Sequence, residues 1–200
     1  MKKFFLFSLA LLAVTLLNAQ GISYGFKAGL NLSNYNTSVS GFDDLVKTRT
    51  SFHVGAVVEF GLSDQFAIQP ELLYSSVGAK IDYSGGVKDT AGDMFYVMDY
   101  LSIPVMVKYY PTKNISLELG PQLGILLSAK MKMDGESEDF KDESESIDFG
   151  AGIGAEYKLD KGLFFNARYV LGLTNVIKEV SGDDYIKNNV FQFSVGYKFM

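Results

Sequence analysis

The sequence predicts an all-β protein: an eight-stranded antiparallel up-and-down transmembrane β-barrel over residues 20–200, behind a secretory signal peptide at 1–19. Three observations predict it. Eight segments alternate apolar with small or polar residues at a period of two, the signature of strands with two unlike faces. The connections between them alternate short and long. Outside the leader no run of 18 apolar residues exists, so no helical span is available.

The leader comes first. MKKFFLFSLALLAVTLLNAQ sets two lysines before an apolar stretch from Phe4 to Leu17, followed by Asn18 and Ala19. That is the layout of an export signal cleaved after Ala19, and the stretch is short for a retained membrane helix. The chain carries 18 basic and 23 acidic residues, a net −5; loss of Lys2 and Lys3 leaves 16 against 23, a net −7. A chain this acidic is not expected to bind nucleic acid. There is no cysteine. Disulfides, thiol catalysis, thiolate metal sites and a lipid-anchored cysteine are therefore excluded. The roughly 180 residues that remain make one domain.

The first strand sets Ile22, Tyr24, Phe26, Ala28, Leu30 and Leu32 against Ser23, Gly25, Lys27, Gly29, Asn31 and Ser33. A second places Phe52, Val54, Ala56, Val58 and Phe60 on its apolar face, and a third Phe66, Ile68, Pro70, Leu72 and Tyr74 against Gln65, Gln69, Glu71 and Ser75. From the fourth on the apolar positions are odd: Leu101, Ile103, Val105, Val107 and Tyr109. The fifth runs from Ile115 to Leu127 against Ser116, Glu118, Gly120, Gln122, Gly124 and Ser128. The sixth alternates Ile147 to Tyr157 with Asp148, Gly150, Gly152, Gly154, Glu156 and Lys158, and the seventh Leu163 to Leu173 with Asn166, Arg168 and Gly172. The closing segment VFQFSVGYKFM sets Phe191, Phe193, Val195, Tyr197 and Phe199 against Gln192, Ser194, Gly196 and Lys198. Each run has the about ten residues that a tilted strand needs to cross a bilayer. Pro70, Pro104 and Pro121 cannot donate to a ladder, so bulges or local breaks are expected there.

GLSD, PTKN and LDKG are tight hairpin connections, whereas 35–49, 80–95, 130–145 and 174–189 are long and polar. With both termini on the short side, this is the arrangement of periplasmic turns and extracellular loops. A soluble eight-stranded barrel would keep its apolar residues inside. Here the apolar face is continuous over eight strands with few helices to cover it, so it is expected to meet lipid, and closure removes the edges that lipid cannot satisfy. Aromatic residues at the run ends would form the interfacial girdles: Tyr24, Phe60, Phe66, Tyr109, Tyr157, Phe165 and Phe199 on the periplasmic side, Phe52, Tyr74 and Phe191 outside.

YGFKAGLNLSN, FHVGAVVEFGLSDQFAIQPELLYS, YLSIPVMVKYYP, ELGPQLGILLS and FSVGYKF together resemble the PorT-like outer-membrane β-barrel family of Bacteroidetes-type Gram-negative bacteria, over essentially the whole mature chain. The resemblance implies an eight-stranded barrel in the outer membrane. The family's namesake is implicated in type IX secretion, a role the resemblance does not carry over. The terminal strand also resembles the C-terminal signal read by barrel-assembly machinery, with Met200 following Phe199 as a departure from the usual pattern.

If the apolar set faces lipid, Lys27, Lys108, Lys158, Arg168 and Lys198 point inward together with Glu59, Glu71, Glu118, Asp148 and Glu156. Eight strands leave an interior only wide enough for side chains. Charges there require partners. The expected site is a lumen ion-pair network of Lys27, Glu59, Glu71, Lys108, Glu118, Glu156, Arg168 and Lys198, helped by Gln69, Gln122 and Gln192, that plugs the barrel; Asp148 and Lys158 lie at strand ends, where water can reach them. His53, the single histidine, could act as a general base with Glu71, but no motif accompanies it, and a structural role is the expectation.

The loop MKMDGESEDFKDESES clusters Asp134, Glu136, Glu138, Asp139, Asp142, Glu143 and Glu145 without EF-hand spacing. It reads as a solvated acidic loop rather than a calcium site. Asp89-Thr90-Ala91 resembles an O-glycosylation acceptor. No cofactor and no enzymatic activity are expected. The functional expectation is a structural or interaction protein whose partners are outer-membrane lipid, the assembly machinery, and an envelope protein or surface glycan at the loops. The alternatives are a small porin, with glycines 120, 124, 150, 152 and 154 giving room in the bore, or an accessory of a secretion or uptake machine.

Overall fold

The computed structural model describes residues 21–39, 41–82, 93–133, 135–178 and 184–199. The expected signal peptide, Asp134, the Asp89–Ala91 acceptor and Met200 lie outside them. The strands are β1 (Ile22–Thr37), β2 (Val46–Gly61), β3 (Phe66–Asp82), β4 (Asp93–Tyr109), β5 (Ile115–Met133), β6 (Glu136–Asp139), β7 (Ile147–Lys158), β8 (Leu163–Gly172) and β9 (Ile186–Phe199). Each barrel strand pairs antiparallel with its neighbours, and the ring closes where β1 meets β9, from Tyr24↔Phe199 to Thr37↔Ile186. Eight strands build the wall, as the sequence predicts. The ninth, β6, folds back on the tip of β5 inside the acidic loop, pairing Lys130↔Asp139 through Met133↔Glu136.

The strands outrun the predicted loop boundaries. β5 spans 19 residues and β3 and β4 17 each, against the roughly ten that cross a bilayer. Their loop-side ends therefore stand above the membrane as a rigid collar. The prolines interrupt pairing without breaking the strands. Between Val57↔Glu71 and Phe60↔Ile68 the β2–β3 ladder skips Pro70 and resumes in the same register, and the β4–β5 ladder does likewise between Pro104↔Gln122 and Val107↔Leu119, opposite Pro121. The register shifts fall elsewhere, between Thr48 and His53 on β2 and at Asp99/Tyr100 opposite Leu127 on β5. Leu127 is the extra residue of a bulge, and it inverts the alternation beyond it: Leu126 points inward before it, Ala129 after it.

The predicted outward face is exposed on every barrel strand, including Phe26 and Leu30 on β1, Leu117 and Leu119 on β5 and Phe193 and Val195 on β9. Only a lipid solvent accommodates such a surface. Its aromatic residues meet in cross-strand pairs at both ends. Tyr24 lies 5.5 Å from Phe199 and Phe66 5.3 Å from Tyr109 near the turns, and Phe52 lies 5.7 Å from Tyr74 towards the loops.

Candidate functional site

Each of the eight barrel strands contributes one charged side chain to the turn-side half of the lumen, and the structure brings all eight together. Two quartets form, each with two cations and two carboxylates. In one, the Arg168 guanidinium (β8) donates from Nη2 and Nη1 to Glu71 (β3) at 2.7 and 3.0 Å, and from Nε to Glu118 Oε1 (β5) at 2.6 Å. Lys27 (β1) lies 2.8 Å from the same Glu71 carboxylate. In the other, Lys108 (β4) and Lys198 (β9) both bridge Glu59 (β2) and Glu156 (β7), at 3.2 and 2.7 Å for Lys108 and 2.7 and 2.6 Å for Lys198.

Gln69 links the quartets. Its Nε2 donates to Glu71 Oε1 at 2.7 Å and its Oε1 accepts from Lys108 Nζ at 3.1 Å. The Tyr110 hydroxyl donates to Glu59 at 2.8 Å and Asn166 Nδ2 to Glu118 at 3.0 Å, while Lys198 Nζ lies 4.7 Å from the centre of the Phe164 ring. Opposite charges in contact and hydrogen bonds to most of their atoms make charge tolerable out of water, while Glu118 Oε2 and Glu156 Oε2 stay without a hydrogen bond.

Of the expected residues that stay outside this network, Asp148 and Gln192 have local partners. Asp148 accepts from Thr174 and Asn188 at 3.0 and 3.1 Å, and Lys158 is half-buried at the turn end of β7. Gln192 donates to Asn31 at 3.0 Å, a separate polar layer. Gln122 reaches no network member and lines a cavity of about 20 Å3 together with Tyr100, Asp148 and Asn188, room for about one water molecule. The space beside the glycines expected to widen the bore is taken by atoms of nearby strands. A Cβ on Gly152 would meet Met106 Cε and Arg168 Cδ at 3.3 and 3.4 Å, and one on Gly154 would meet Glu118 Oε1 at 2.9 Å. They admit the network's own side chains.

His53 belongs to the separate polar layer. Nδ1 lies 2.8 Å from Asn31 Oδ1 and Nε2 2.8 Å from Ser194 Oγ. Glu71, the carboxylate proposed from sequence to orient it, is engaged by Arg168, Lys27 and Gln69 instead. Ser194, His53 and Asn31 follow the order of nucleophile, base and orienting group, but His53 is 0% and Ser194 6% exposed, which leaves no place for a substrate. Gly29 fits this packing because a Cβ there would lie 2.8 Å from His53 Cε1.

The loop-side half of the lumen is filled differently. Tyr35, Val77, Ala79, Ile81, Met98, Tyr100, Leu126, Ala129, Val170, Val176 and Val190 form one buried apolar cluster. The signal was present where both faces of a strand turn apolar, in the stretch from Met94 to Leu101, and a strict outward/inward reading passes over it. In the acidic loop, no group of three or more metal-ligating side chains converges among the described residues.

A closed eight-stranded wall, an apolar exterior with aromatic residues at both ends and a charge-paired interior define a membrane-embedded β-barrel of outer-membrane type. The match to known families gives the same class. Residues 18–178 fit the family described as outer membrane protein beta-barrel domain, and the chain belongs to that family; it is a protein of the Gram-negative outer membrane, surrounded by its lipid. No curated protein matches in sequence. Among solved structures, the Neisserial surface protein A (NspA) shares 14% identity at a TM-score of 0.56, over 90% of this chain and all of that one. Ail, the attachment invasion locus protein of Yersinia pestis, shares 13% at 0.52 over the same proportions, and it has also been solved with the heparin analogue sucrose octasulfate. At such identities the likeness concerns the fold.

Proposed function

We propose that this is a sealed, non-enzymatic barrel of the PorT-like type, with a plugged lumen and its activity in the extracellular loop end, where it contacts an envelope protein or a surface glycan. The observation that carries the reading is the filling of the bore: two neutral quartets on the turn side, an apolar cluster on the loop side, and about 20 Å3 between them. A path for ions would have to separate pairs held at 2.6–2.8 Å. The 1–19 leader fits a route through the export machinery, and the β9 strand, apolar on alternate residues to Phe199, suits recognition by the assembly machinery. Among loop partners, a sulfated glycan of the kind represented in the Ail complex is disfavoured, since loop 130–145 holds seven acidic residues against three lysines.

Planar-bilayer recording of the protein extracted from outer membranes tests this. A quiet baseline is expected, whereas reproducible unitary steps would overturn the sealed lumen and leave a small porin as the better reading.

A further inference from the structure

At the loop end the collar holds a second cavity, of about 330 Å3, within the range of small-molecule sites. Its walls are the aromatic and aliphatic side chains of Tyr35, Phe42, Tyr96, Met131, Phe140 and Ile177. Glu138, Asp139 and Glu143 complete the lining, which contains no basic residue. The cavity is built by defined structure. β6 returns Glu138 and Asp139 alongside Met131 and Lys130, and a short 3-10 turn at Lys141–Glu143 follows. That turn is tied to the last loop, where Lys178 N donates to Glu143 O and Glu145 N to Val176 O, both at 2.9 Å. Tyr96 stands edge-on to Phe140 at 5.4 Å and to Tyr35 at 6.1 Å, and the Tyr35 hydroxyl closes the floor on Met98 Sδ at 3.4 Å.

The charge of Glu138 and Glu143 in the lining is uncompensated. Two lysines of these loops are committed elsewhere: Lys141 Nζ donates to Leu127 O and Lys178 Nζ to Asp142 O. Lys130 and Lys132 lie on the face of β5 opposite Met131, where Lys130 stands directly across from Asp139, so the lining charges without a facing cation are Glu138 and Glu143. Among the described residues neither Glu138 nor Glu143 forms an ion pair, and Asp139 accepts from the Lys141 backbone. Aromatic walls attract a cation through their π faces, carboxylates through its charge, and the apolar remainder favours a hydrophobic body.

We infer that this cavity binds small amphiphilic organic cations, an ammonium or guanidinium group on an apolar or aromatic body. The inference rests on the reading that the loop end, and not the lumen, carries the activity.

The test uses the protein in zwitterionic lipid nanodiscs with methyl-labelled methionine, Met131 serving as the reporter, and 2-phenylethylammonium as the probe. Saturable shifts of Met131 are expected, with binding about tenfold weaker for the neutral 2-phenylethanol and weaker still for phenylacetate. A Glu138→Gln/Glu143→Gln variant, altered at two exposed side chains, is expected to lose about tenfold in affinity for the amine and nothing for the alcohol. Equal binding of amine and alcohol, indifference to the double variant, or no saturable shift would each overturn the site. Bilayer recording separates the two proposals: a silent barrel that ignores the amine loses the pocket alone, and a conducting barrel loses the sealed lumen alone.

Discussion

The two halves of the lumen have the same wall and opposite fillings. Towards the turns, one charge from each barrel strand enters a quartet; Arg168 on β8 reaches Glu71 on β3 straight across the bore, and the other ion pairs join strands two apart around the ring. Towards the loops, Ile81, Met98 and Ala129 fill the same cross-section with uncharged side chains, and the Tyr35 hydroxyl is spent on Met98 Sδ. An apolar filling needs only the right volume. A charged filling also needs the right partner at the right height, so a one-residue slip of any strand would turn its charge to the lipid and leave its partners buried and unpaired. The charged half thus specifies register, and the apolar half seals.

The strongest way to break this contrast is at Arg168, which bonds both Glu71 and Glu118 through three hydrogen bonds and is the only cation paired with Glu118 among the described residues. Arg168→Ala leaves both carboxylates short of countercharge and is expected to cost about 3–5 kcal/mol, the range for breaking a buried ion pair. Urea unfolding in lipid vesicles measures it, and a loss under about 1 kcal/mol would mean that water reaches the quartet. Replacing the whole quartet (Lys27→Met, Glu71→Leu, Glu118→Leu, Arg168→Met) sharpens the comparison. No charge is then orphaned, so most of the lost stability is expected to return. What should suffer is the yield of correctly registered barrel, read as the fraction of refolded protein that resists heat on a gel.

In the apolar half the comparable lesion is a cavity. Ile81→Ala removes a fully buried side chain and is expected to cost about 2–4 kcal/mol in the same assay, with no effect on refolding yield. If it reduced yield as the quartet replacement does, the division of labour between the halves would fail.

The charged half was legible in the sequence, and the apolar half was not, for one reason. Alternation identifies an inward charge unambiguously, since Lys27 or Glu118 between exposed apolar neighbours has no other place to go. Eight strands then force the charges into reach of one another. The alternation rule says nothing where both faces are apolar, so Val77, Ala79 and Met98 lie outside the predicted runs. The bulge at Leu127 compounds this: it reverses the parity of Ala129 and Met131, and no proline or glycine marks it. The prolines that were marked proved quieter, because the ladder skips two pairs and resumes in register. β6 was hidden by its composition, since Glu136 to Asp139 read as a charge run and pair with β5 through backbone alone. The pocket above depends on that hairpin, and so it too was out of reach.

Lys198→Met is a milder perturbation of the charged half. Lys108 remains to bridge Glu59 and Glu156, and a methionine can still pack on the Phe164 ring. The expected cost is about 1.5–3 kcal/mol, that of hydrogen bonds to charged groups, smaller than for Arg168→Ala because no carboxylate loses its last cation. A cost equal to that of Arg168→Ala would show that the second quartet tolerates no redistribution.

The smallest effect isolates the cause of the others. Lys80 and Asp93 form an ion pair of 2.7 Å where β3 and β4 rise into the collar, the same separation as Arg168 and Glu71, but with side chains 30% and 49% exposed against 0% for both lumen residues. If distance governed the energy, the two pairs would couple alike. Water competes for Lys80 and salt screens it, so double-mutant cycles with alanine are expected to give about 0.2–1 kcal/mol for the collar pair. Arg168 and Glu71 should give several times more, because neither alanine variant can recruit solvent to the charge left behind. Raising the salt concentration should erase the collar coupling and leave the lumen coupling in place. Equal sensitivity to salt would mean that the lumen quartets are hydrated, and with that the basis for a sealed barrel would fall.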